Sequence, residues 1–89
     1  MRLKMDLDKA FENIESKEDF VMFLQQLRLN LEARPEEWEN VTLTNFLESL
    51  QAYTEDIEGY YKNRHLTFDK EKPTWKVFAQ LLLGAKVYE

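Results

Sequence analysis

Between Leu43 and Tyr61 the apolar residues recur at steps of three and four, a spacing that a short chain must honour by burying one face of a helix. Leu43, Phe46, Leu47, Leu50, Tyr53, Ile57, Tyr60 and Tyr61 fill an arc of roughly 140° on a helical wheel. Thr54 is the only polar residue inside it, and Glu48, Gln51, Glu55 and Glu58 face outward. The stretch 42–62 is therefore expected to be one helix about 30 Å long. A rod with one oily side needs a cover, and the rest of the chain has to supply it.

Further helices follow from the same periodicity. A short first helix is expected over 3–14, with Leu3, Leu7, Ala10, Phe11 and Ile14 on one face and Met1 and Met5 opposite. Ser16 followed by Asp19 has the form of a shortened capping box and opens a second helix that runs to about Ala33. Glu18 and Asp19 suit the positive end of its dipole. Phe20, Phe23, Leu24, Leu27 and Leu31 make its main stripe, while Met22 and Leu29 lie on the opposite side. Such a second apolar face belongs to a central helix or to a binding surface.

Arg34-Pro35 ends this helix, because the residue before a proline is driven out of the α region. Residues 35–38, PEEW, then read as a single helical turn with Trp38 as a plug between the second and third helices. Asn40 and Thr42 read as turn and cap residues leading into the long helix. The pattern is lost over 63–73, where Leu66 and Phe68 are the expected anchors. Thr74 then caps a last helix. Trp75, Phe78, Ala79, Leu82, Ala85 and Tyr88 share one face, extended by Val77 and Leu81, with Leu83 and Val87 elsewhere. A helix this apolar around its circumference should lie at the centre, with Gly84 allowing a neighbour to come close. The long helix, polar along its outer half, then clamps one side. The expected fold is all-α: one domain over 1–89, a compact bundle of about four helices plus the turn at Pro35 to Trp38.

Composition limits the function classes. Cysteine is absent, so neither a disulfide framework nor a thiolate metal site is available. No apolar run approaches the ~20 residues of a membrane span, and the charged N-terminus is no secretory signal, so a cytoplasmic location is expected. A net charge of −5 without a basic patch argues against nucleic acid; it serves solubility or draws the chain to a basic partner, and charge alone does not separate the two. The one histidine, His65, sits in the loop, and no Glu-x-x-His, phosphate loop or HExxH motif occurs. No catalytic, metal or cofactor residue is assigned.

The segments SKEDFVMFLQQL, PEEWENVTLTNFLESLQAYTEDIEGYY and PTWKVFAQLLLGAKVYE resemble a family of small bacterial proteins catalogued as a domain of unknown function. The likeness spans 14–89. Its most specific pieces are W-E-N-x-T-L-x-x-F-L and W-K-x-F-A-x-x-L-x-x-A-K-x-Y-E. The resemblance implies a stand-alone bacterial cytoplasmic helical domain and transfers no activity. Within those motifs Trp38, Leu43, Phe46, Leu47, Trp75, Phe78 and Leu82 all fall on faces expected to be buried.

The first functional expectation is a small acidic, non-enzymatic protein-binding domain that occludes a partner, as an immunity protein or antitoxin would. Its candidate surface is Glu48, Glu55 and Glu58, with Met22 and Leu29 as an apolar alternative. The competing expectations are a metal-dependent enzyme or ligand-binding bundle using carboxylates with His65, and a homodimeric structural domain.

Overall fold

The computed structural model describes residues 7–88; the expectations on Met1, Leu3 and Met5 lie outside that range. The described chain is all-α, as its sequence implies. It runs α1 (Leu7–Glu12), α2 (Lys17–Ala33), a 3-10 turn (Pro35–Glu37), α3 (Leu43–Asn63) and α4 (Trp75–Ala85).

The helices α2, α3 and α4 each start on a side-chain oxygen. Ser16 Oγ accepts from Asp19 N at 3.1 Å, and Asp19 Oδ2 reaches back to accept from Glu15 N at 3.0 Å. Thr42 and Thr74 accept from Asn45 N and Val77 N in the same way. Each bond satisfies one amide that the first turn leaves without an intrahelical partner. The first helix ends before its apolar pattern does, at Glu12. Asn13 Nδ2 donates back to Lys9 O and Ile14 N to Phe11 O, which closes α1 before Ile14.

The helices stack in three layers. α4 touches α1, α2 and α3, whereas the backbones of α2 and α3 stand apart. On one side of α4 lies a core of Leu7, Ile14, Phe23, Leu27 and Ala79, with Phe11, Phe20, Leu82 and Leu83 packed around it. On the other side Tyr53 and Ile57 of α3 are buried, as are Val77 and Ala85 of α4. Burial from both directions is why α4 is apolar around its circumference.

Gln80 and Gly84, four residues apart on α4, point at α3. Gln80 is buried and donates its Nε2 to Tyr53 Oη at 2.7 Å. Gly84 lets the Tyr53 ring lie where a Cβ would stand. Lys76 turns toward α1: its Nζ donates to Glu12 O at 3.3 Å and sits over the Phe11 ring. A cation there meets the negative end of that helix.

Length explains the main departure from expectation. α3 has 21 residues and α4 only 11, so the cover is about 15 Å shorter than the rod. Leu43 and Leu47, which the wheel places on the buried face, are 73% and 52% exposed, in the part of α3 that precedes the overlap. Trp75 and Phe78 also depart from expectation, at 40% and 38% exposed. They project at the other end of α4 and close on Phe20 instead, with ring centroids 5.5 to 6.4 Å apart.

The loop after α3 is tied down by its own backbone. Leu66 N donates to Tyr61 O at 2.9 Å and His65 N to Lys62 O at 3.1 Å, the two bonds of a Schellman C-cap. His65 takes the left-handed position with φ 56°. Phe68 then packs on Tyr61, ring centroids 5.1 Å apart.

Candidate functional site

The two most distinctive sequence segments, around Trp38-Glu39-Asn40 and around Ala85-Lys86, meet at one point. Asn40 Nδ2 donates to the carbonyls of Ala85 at 3.0 Å and Tyr88 at 2.8 Å. The amides of Glu39 and Asn40 both donate to Lys86 O, and Ser49 Oγ donates to Tyr88 O at 2.9 Å. These bonds satisfy carbonyls that a helix end leaves open. Asn40, expected to help start α3, thus caps the end of α4; the side chain that caps α3 is Thr42. The outward tip of α4 is fixed as well: Tyr88 Oη donates to Asp56 Oδ2, and that bond holds the phenol above its ordinary pKa.

Trp38 stands above this latch. Its Nε1 donates to Oδ1 of the buried Asn30 at 2.7 Å, and Asn30 Nδ2 donates to Glu37 Oε1 at 3.2 Å. Lys86 Nζ lies 3.7 Å from the same Glu37 oxygen and 5.7 Å from the centre of the Trp38 ring. Of the acids around Trp38, Glu37 is thereby committed to Asn30, Lys86 and Arg34. Asn30 belongs to no sequence motif. Its signal is position, since it continues the stripe of Phe23 and Leu27 at helical spacing.

The far side of Trp38 packs on Phe46, centroids 6.0 Å apart, and forms the floor of an open groove of about 330 Å³. Leu24, Arg28 and Leu31 of α2 make one wall, and Val41, Leu43 and Phe46 make the other. The groove exists because α2 and α3 flank α4 without touching and Trp38 holds their ends apart. Leu24, Val41, Leu43 and the adjacent Leu47 are all exposed. Arg28, the one base in the lining, is engaged with Glu32 at 3.3 Å.

The acidic residues of the sequence-based surface lie on the neighbouring face. Glu48, Glu55 and Glu58 are all exposed on α3. The apolar alternative is split: Met22 is 56% exposed, whereas Leu29 is half-buried. His65 stands in the loop, one residue beyond the Arg64 cap of α3, and among the described residues no three of His, Asp and Glu converge as metal ligands. The phenols of Tyr53 and Tyr61 are raised above their ordinary pKa chiefly by burial, and for Tyr53 the Gln80 hydrogen bond opposes the shift. With Tyr60 they form a ring cluster along α3, continued by Phe68 of the loop, that serves packing. None of the described helices is long and apolar enough to cross a membrane.

Residues 16–89 match the sequence model of a family of unknown function, DUF7660. The chain belongs to that family. The match begins at the Ser16 cap and takes in α2, the latch, α3 and α4, so the groove lies wholly within the DUF7660 region. No curated protein and no solved structure matches the chain.

Proposed function

We propose that this DUF7660 member is a small, cytoplasmic, non-enzymatic domain that binds another protein and acts by covering it. The observation that carries this reading is the exposed apolar surface at Leu24, Val41, Leu43 and Leu47, which a fold of this size would otherwise bury. It adjoins an exposed acidic face at Glu48, Glu55 and Glu58, which suits a basic partner. The buried polar side chains are spent on structure: Asn30 holds Trp38, and Gln80 holds Tyr53. An immunity-like role, in which an acidic cover blocks a basic active site, fits that chemistry.

Cross-linking in the native host, with a photoreactive residue placed at Gln51 between the two surfaces, tests the reading. Asp8, exposed on α1 across α4 from α3, is the control position. A partner captured at Gln51 and not at Asp8 supports the reading. Recovery of the uncross-linked protein alone at both positions rejects it.

A further inference from the structure

We infer that the groove between α2 and the start of α3 seats an amphipathic helix of the partner, apolar at the end that meets Leu43 and Leu47 and basic at the end that runs along Glu55 and Glu58. This rests on the protein-binding reading and specifies the partner's chemistry.

Two independent features of α3 lead to it. Its first turns offer aliphatic side chains to solvent beside a hollow floored by two rings, Trp38 and Phe46. That is the form of a helix-in-groove site, where the guest inserts side chains spaced at three and four residues. The second feature is charge along the same edge. Leu43, Leu47, Gln51 and Glu58 fall within roughly 80° of one another on the helix, with Glu48 and Glu55 beside them. Followed from its N-terminus, this edge changes from aliphatic to acidic at Glu55 and Glu58, ahead of Lys62 in the last turn. A guest complementary to it has apolar anchors at one end and lysine or arginine at the other.

Charge also argues against a second copy as the guest. A copy would bring a further net charge of −5 and another acidic α3 to the same place. The one base of the groove, Arg28, already has Glu32 as its partner.

The test uses two synthetic helical peptides with identical leucine anchors, one continued by lysines and one by glutamates, titrated calorimetrically into the full chain. The lysine peptide is expected to bind about tenfold more tightly, from two or three exposed charge pairs, and to weaken as salt rises. Glu55→Lys with Glu58→Lys should reverse the preference. Leu43→Asp with Leu47→Asp should abolish binding while leaving the melting temperature near that of the wild type. Position 43 is the first residue of α3, where an acid suits the helix dipole. Equal binding of both peptides, no binding of either, or binding untouched by the two aspartates overturns the proposal. So does a wild-type dimer in sedimentation that the aspartates dissolve. A cellular partner that cross-links at Gln51 even in the aspartate variant would preserve the protein-binding reading while removing the groove as its seat.

Discussion

Asn40 holds the end of α4 from 48 residues away, its Nδ2 2.8 Å from the carbonyl oxygen of Tyr88. The same amide reaches Ala85 O, so one side chain closes a helix and fixes the α2–α3 connection that carries Trp38. Asn40→Ala should cost about 2 kcal/mol, for two hydrogen bonds at roughly 1 kcal/mol each. Asn40→Asp should cost more, because a carboxylate cannot donate and would face carbonyls at the negative end of α4. Urea unfolding of the two variants checks the order; an aspartate variant as stable as the wild type would refute the capping role.

The two glycines should respond oppositely to alanine. At Gly84 a Cβ would intrude on the Tyr53 ring, and Tyr53 is pinned by Gln80, so overpacking should cost about 1–3 kcal/mol. At Gly59 an added Cβ would meet nothing within 4 Å, and the helix continues to Asn63. Gly59→Ala should therefore stabilise by up to ~1 kcal/mol. Thermal melts of the single variants decide both, and a loss at Gly59 would show that this turn is not plain helix.

His65 occupies a position that favours glycine. Its φ of 56° puts a side-chain-bearing residue in the left-handed region while its amide completes the Schellman cap. His65→Gly should stabilise by about 1 kcal/mol, and His65→Ala should not. If His65 instead served a metal, both replacements would abolish a metal-dependent thermal shift.

These positions show which parts of the fold are legible in the sequence. Ser16, Thr42, Thr74 and the Arg34-Pro35 break are readable because capping and chain reversal are local chemistry. The outward placement of Glu48, Glu55 and Glu58 follows from the wheel alone. Periodicity misplaces Leu43 and Leu47 because it reports which face is apolar, not how far the opposing helix extends. Trp75 and Phe78 are misplaced for another reason: they close on Phe20 at the start of α2 in a ring cluster that stays partly open to solvent. Asn30 and Gln80 escape a search for apolar stripes, which discards polar residues, although both sit where a stripe residue would. The groove depends on α2 and α3 standing apart across α4, a tertiary relation that no local pattern carries. The Asn40–Tyr88 bond is hidden for the same reason, since nothing near either residue encodes it.

Alkali should destabilise the protein through the phenols of Tyr53 and Tyr61. Tyr53 and Tyr61 have folded-state pKa values above the ordinary ~10, first of all because burial disfavours the phenolate. The folded chain then binds protons more tightly than the unfolded chain. Their contribution is fully present below about pH 10, and falls as pH rises through the folded-state values. The melting temperature of the wild type should accordingly drop above pH 10 more steeply than that of Tyr61→Phe. Tyr53→Phe should flatten the same limb, but from a lower start, because it leaves the buried Gln80 amide without its acceptor at a cost of about 1–3 kcal/mol. Absorbance titration at the phenolate band, run beside the melts, separates the two residues. Identical alkaline limbs in the wild type and both variants would mean that neither phenol is desolvated in the folded protein.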